Sequence, residues 1–127
     1  MKIEVSNGEI LDKLSILELK LRFMENEEQK SNVQKEHDLL KRASAKILLT
    51  NGKTFPEDFY KDLSNINLKL WSIEHKIREK EFKDEFDKDF IKLARSVYKT
   101  NDKRARIKKE INVFTGSTLV EEKYYED

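Results

Sequence analysis

The sequence predicts an all-α fold, a three-helix antiparallel bundle with coiled-coil character and a long first helix. Three observations point there. Apolar residues recur in three- and four-residue steps over most of the chain, the spacing of a buried helical stripe. Three Gly and one Pro in 127 residues leave little material for a turn-dense β fold. Charged residues at 40% against hydrophobic ones at 37% suit long helices with solvated outer faces over a thin core.

The first helix opens at Ser6-Asn7-Gly8-Glu9, a capping box in which a Ser hydroxyl accepts the N–H three residues on. Ile10, Leu14, Leu17, Leu21 and Met24 then form a seam. The seam lapses over the polar run Glu25–Asn32 and resumes with Val33, Leu40, Ala43 and Ile47. This reads as one helix over 7–49 with a solvated or bent middle; a break near 25–32 is the other reading. Thr50-Asn51-Gly52-Lys53-Thr54 is a turn centred on Asn-Gly.

A second helix over 56–81 starts with Pro56 in its first turn, where no helical N–H is needed. Phe59, Leu63, Ile66, Leu70, Ile73 and Ile77 give it an unbroken heptad seam. The third, over 87–115, takes Asp84 or Asp87 as N-cap and Gly116 as its left-handed stop. Its buried side is read as Phe90, Leu93, Ala94, Val97, Ile107, Ile111 and Phe114. A short N-terminal and an acidic C-terminal extension complete a single helical domain over 1–127, with Ile3 and Val5 able to pair as a strand with Leu119 and Val120.

At ~1.5 Å per residue the first helix would span about 60 Å, the second about 36 Å and the third about 43 Å. A helix that outruns its neighbours bends back or packs on another copy. A homodimer is the expected assembly.

Composition narrows the function classes. Lys plus Arg number 26 and Asp plus Glu 25, a net charge of +1, which argues against a general nucleic-acid binder or a polybasic membrane-surface protein. Without cysteine there is no disulfide, thiol catalysis or thiolate zinc site. The longest aliphatic run, Ile47-Leu48-Leu49, is far short of the ~20 residues of a membrane span, and no secretory signal or lipidation motif is visible. The expected location is cytoplasmic.

The opening run from Lys2 to Glu18, K-I-E-V-S-N-G-E-I-L-D-K-L-S-I-L-E, resembles that of an uncharacterised domain-of-unknown-function family of small bacterial and phage proteins. Later stretches agree, among them Leu70-Trp71-Ser72-Ile73-Glu74, Phe90 to Arg95 and Gly116-Ser117. The resemblance implies kinship along nearly the whole chain and no activity.

One constellation goes beyond a core. Flanking the seam of the second helix lie Asn67, Trp71, Glu74, Arg78 and Glu81; the matching flank of the third is Arg95, Tyr98, Asp102, Arg106 and Lys109. Facing one another, they would make an aromatic-floored groove in which Trp71, Glu74, Arg78, Arg95, Tyr98, Asp102 and Arg106 hold an anionic or polar ligand by forked donors. The competing account is an inter-helix salt-bridge network, each surface pair contributing only ~0–1 kcal/mol. His37 and His75 lie on different helices without ligand spacing.

Glu25-x-x-Glu28 and Glu81-x-x-Asp84 look like the acidic elements of all-α nucleotide pyrophosphatases, which hold Mg²⁺, but stand too far apart. The basic run Lys103–Lys109 fans around its helix and sits near a C-terminus that favours cations anyway. No nucleophile set, dinucleotide fingerprint or phosphate loop is present.

The expected function is therefore a non-enzymatic helical interaction or assembly protein that self-associates, with no catalytic residue, metal or cofactor implied and a protein partner compatible. The alternative is a small ligand-binding or Mg-dependent phosphate-hydrolysing domain using the polar groove.

Overall fold

The computed structural model describes residues 1–52 and 54–125, with the side chains of 48–51 outside the description. Its four helices are α1 (Asn7–Phe23), α2 (Glu27–Asn51), α3 (Glu57–Phe82) and α4 (Lys88–Thr115), and no strand occurs among the described residues. The all-α expectation holds; the three-helix bundle and its long first helix do not. The chain leaves helical geometry at Met24 (φ −73°, ψ 141°), and the Asn26 side chain accepts the Gln29 N–H at 2.9 Å to start a new helix. The cause lies in the polar run: with no apolar seam over 25–32, nothing packs the middle of a long helix. A capping Asn then offers the backbone a local alternative. The expected 60 Å rod is instead two antiparallel helices of 17 and 25 residues.

Other boundaries follow the sequence closely. Ser6 caps α1, its hydroxyl accepting the Glu9 N–H at 3.1 Å. Asp87 caps α4 through the Phe90 N–H at 3.0 Å, while Asp84 takes the left-handed turn conformation (φ 57°). Gly116 (φ 66°) ends α4 as the left-handed C-cap. The N-terminal segment and the tail meet without becoming a strand: the Asn7 N–H donates to the Ser117 hydroxyl at 3.0 Å, and Ile3 and Val5 stay exposed.

Two hairpins, α1–α2 and α3–α4, pack through α1. It runs antiparallel to α4, with Gly8 against Asn112 and Asp12 beside Lys108. On its other side lies α2, tied by Lys13–Glu36 at 3.5 Å. Among the described residues α2 packs mainly on α1 and more slightly on α4. The core is small, built on the fully buried Leu11, Leu63 and Ile111 with Phe55, Phe59, Tyr60 and Ile107 around it. Of the α3 seam, Leu63, Leu70 and Ile73 are buried and Phe59, Ile66 and Ile77 half-buried. On α4 Ile111 is buried, Phe90, Leu93, Val97, Ile107 and Phe114 are half-buried, and Ala94 is exposed.

At the far end of α1, Phe23 stacks on Trp71 with centroids 5.6 Å apart. Beyond that stack α3 and α4 continue for about 16 Å as a projecting two-helix arm.

Gly8 permits the tightest approach. A Cβ there would lie 2.5 Å from the Lys108 carbonyl oxygen and 2.9 Å from Asn112 Oδ1. The first is backbone and cannot swing away. Ala in place of Gly gains ~1 kcal/mol of helix propensity, but overpacking typically costs 1–3 kcal/mol and the Gly8–Asn112 hydrogen bond would be lost as well. Gly8→Ala is expected to lower stability by roughly 2 kcal/mol, read as a lower urea midpoint, whereas Gly52→Ala, with nothing within 4 Å, loses only what its left-handed backbone demands.

Candidate functional site

The closest concentration of polar chemistry is a buried seam where the first turns of α1 meet α3 and α4. Its geometry starts from the Gly8 approach, which lets the Gly8 N–H donate to Asn112 Oδ1 at 2.6 Å. The Asn7 amide donates to the Thr115 hydroxyl at 3.0 Å, and Thr115 in turn donates back to the Ile111 carbonyl. One turn further along α1, the Asp12 carboxylate is 3% exposed. It accepts from Asn67 Nδ2 at 2.8 Å, and the same amide donates to the Ser15 hydroxyl at 2.8 Å. Lys108 bridges Glu9 and Asp12, standing 3.7 Å from the latter. A buried carboxylate is tolerated only with such partners.

The tail closes the seam. Asn112 donates to the Glu121 carboxylate at 3.3 Å, and Glu121 also receives the Ser6 hydroxyl. Burial works against the Glu121 charge, but the Ser6 hydroxyl, its own backbone N–H, Lys108 and Asn112 outweigh it. The carboxyl is held below the ordinary 4.5. Further along, Lys109–Glu122 and Lys123–Asp102, each at 2.8 Å, and Arg106 over the Tyr125 ring at 4.7 Å lay the tail along α4.

Below this seam Ile16, Leu19, Leu70 and Trp71 enclose a hollow of about 200 Å³ into which Asn67, Glu74, Asn101 and Arg104 also face. Arg104 donates to Asn67 at 3.4 Å, a weak contact that leaves most of its fork unused. Of the seven residues expected to form a groove, the structure brings Trp71 and Glu74 together here. The others lie elsewhere. Arg78 is exposed on the arm, and Tyr98 is 55% exposed. Arg95 belongs to an outer flank with Lys88, Lys92 and Lys99. Asp102 and Arg106 are engaged by the tail.

Helical phase explains the division. The side of α4 that meets α1 and α3 carries Arg104, Lys108 and Ile111, whereas 95, 98, 102 and 106 stand roughly 90° or more around the axis at 100° per residue. Arg104 and Asn112 were the polar residues missed. For Arg104 a signal was available, since it lies about 20° from the phase of Ile111; Asn112, about 100° from it, carried none.

A second polar group lies at the α1–α2–α3 junction. Burial, with the Glu18 carboxylate nearby, holds the Tyr60 phenol above its ordinary value. His37 Nε2 stands 3.5 Å from Glu18. Among the described residues His37 Nδ1 is buried with no hydrogen-bond partner, and the Tyr60 hydroxyl has the Glu18 carboxylate as its neighbour. Among the described residues no group of three His or acidic side chains could hold a metal ion, and no helix is long and apolar enough to cross a membrane.

Comparison with known proteins fits this picture of a chain-long architecture. The chain belongs to a family of unknown function, DUF6165. The family's model matches residues 1–127. No curated protein and no solved structure matches the chain.

Two outcomes test the seam. Asn67→Leu strips the buried Asp12 carboxylate of a charge-assisted donor and is expected to cost about 2–3 kcal/mol in chemical denaturation. The double variant Asp12→Leu/Asn67→Leu removes the stranded charge and should lose less than the two single changes summed. Because the Glu121 carboxyl is held low when docked, its contribution is fully present above 4.5 and fades as pH falls through the lowered value. Amide exchange over residues 117–125 should therefore accelerate as pH falls below 4.5, beyond its intrinsic pH dependence, and Glu121→Gln should abolish that extra change.

Proposed function

We propose that the protein is a non-enzymatic helical assembly module that self-associates through the projecting α3–α4 arm. One observation carries the reading: α3 and α4 continue past the end of α1, and apolar side chains on that stretch stay uncovered. Along that stretch Ile77, Phe90 and Val97 are half-buried, and Ile91 and Tyr98 are 56% and 55% exposed. Phe82 and Phe86 stand out at the tip, Phe86 edge-on to Phe90 at 5.2 Å. Two-helix hairpins bury only one seam and gain by pairing with another such face.

A second copy is the occupant that fits. The uncovered stretch of the arm begins where α1 ends at Phe23. Its α3 rim reads Glu74, Arg78, Glu81, so like charge does not repel an identical partner. Two arms side by side make a short four-helix bundle, which is where the coiled-coil character of the α3 seam and the homodimer belong. Nothing in this reading requires a membrane or a secreted location, and the cytoplasm is the compartment proposed.

The ligand-binding alternative has less support. Its expected residues are divided among separate surfaces, and a hollow of about 200 Å³ is smaller than the ~300–1,000 Å³ typical of small-molecule sites.

An arm about 16 Å long gives a contact at the small end of the range for specific interfaces, so the dimer is expected to dissociate in the micromolar range. Sedimentation equilibrium between about 5 and 200 μM should show a monomer–dimer transition. Ile91→Asp with Tyr98→Asp should leave a monomer throughout with an unchanged melting temperature, since both side chains are exposed. A wild-type chain that stays monomeric at 200 μM removes the proposal.

A further inference from the structure

We infer that the face of the α3–α4 hairpin turned away from α1 binds the phosphate backbone of double-stranded nucleic acid without reading its sequence. The inference rests on the basic rows and not on the arm-to-arm contact, although Ile91 borders both surfaces. It begins with how charge is distributed. Net charge is near zero for the whole chain, yet between Ile91 and Lys109 α4 carries eight basic residues and one acid, Asp102. That acid is already held by Lys123 of the tail.

On α4 the residues Lys88, Lys92, Arg95, Lys99 and Lys103 follow one another in steps of four, three, four and four. Such steps keep them on one side of a helix, as a straight row about 22 Å long. All five are exposed. On α3, Lys69, Lys76 and Lys83 recur every seven residues, a second exposed row of about 21 Å. Because the hairpin is antiparallel, with Lys80 against Glu85 and Asp87 and Phe59 against Phe114, the two rows cover the same length.

The rows form one surface. A hollow of about 490 Å³ between the helices is lined by Lys69, Lys76, Lys83 and Lys92. A second, of about 480 Å³, lies along Lys88, Lys92, Arg95 and Lys99, and the two share Lys92 and Ser96. Among the described residues no carboxylate is within ion-pair distance of any of these eight cations. Glu85, which also faces the first hollow, is taken by Lys80, leaving Glu79 and Asp89 as the acids there. Lys13, Lys80, Lys108, Lys109 and Lys123 have carboxylate partners; what sets the eight apart from other exposed cations is their alignment in two rows.

Eight unpaired cations in two straight rows repel one another, an arrangement that a polyanion relieves by releasing its counterions. Helix rows about 8–10 Å apart and ~22 Å long match a rigid, regularly charged cylinder. A single strand would call for aromatic platforms on which bases stack, and neither row contains one. Tyr98 is exposed beside the α4 row, but a single ring is no platform for successive bases. Nor does an anionic lipid surface fit. The arm tip, which would lead into a bilayer, carries Glu81, Asp84, Glu85, Asp87 and Asp89 around its Phe residues.

Fluorescence anisotropy of the full chain against a labelled 16-base-pair duplex, the same strand alone, and phosphatidylserine vesicles tests the inference. The duplex is expected to bind best, with affinity falling roughly 100- to 1,000-fold between 50 and 200 mM salt, as for five or so neutralised phosphates. Lys92→Glu/Arg95→Glu/Lys99→Glu should weaken it at least tenfold at 50 mM salt, with helicity and melting temperature unchanged. Lys35→Glu/Lys41→Glu, equal in kind but on exposed positions of α2, should change it less than threefold. The inference is overturned by undetectable duplex binding at low salt, by equal loss in both reversals, or by preference for the single strand or the vesicles.

Discussion

The approach of α1 to α4 at Gly8 is the constraint from which the rest of the structure follows. A glycine N–H reaches a buried Asn112 only because no Cβ separates the two backbones. That contact fixes where α1 starts along α4. With the start fixed, Asp12 falls beside Lys108 and Asn67, and Phe23 arrives over Trp71. The length of the bare arm is then simply what α3 and α4 have left over. Hydrophobic burial supplies most of the driving force, but three fully buried apolar side chains at the centre would fit several registers equally well. The directional polar contacts choose among them.

The seam therefore reads as architecture. Its groups are mutually satisfied: each carboxylate, amide and hydroxyl described has a donor or acceptor from another element. Such networks stabilise little on balance and discriminate strongly, since a slip of one turn would strand Asp12 without its amide. The tail extends the logic, since Glu121 meets both Ser6 and Asn112 and so clasps the two ends of the register-setting contact.

Much of this was legible in the sequence for identifiable reasons. The caps at Ser6, Asp87 and Gly116 are local chemistry, decided within four residues. The α3 heptad seam is long enough for periodicity to speak. The break at Met24 was harder, because a polar stretch is compatible with an exposed helix and with a turn; the side chain of Asn26 tips that balance. The polar groove depended on the angular register between α3 and α4. An error of nearly half a turn moved the expected site from Arg104 to Arg106 and from the seam to the tail-covered side. Buried polar residues such as Asn67 and Asn112 resemble surface ones in a chain with 40% charge, so composition alone hides them. Net charge hides segregation in the same way.

The turn at Met24 has one more consequence. By splitting what would be a single rod, it leaves α2 attached to the molecule mainly through α1, with a slighter contact with α4 among the described residues. Local opening free energies scale with the contacts an element must give up, so α2 is the unit that detaches at least cost while α1, α3 and α4 remain docked around Leu11, Leu63 and Ile111. The chain is thus a hierarchy of two cooperative units, an outer helix that can peel and re-seat, and an inner trio that melts only with the whole.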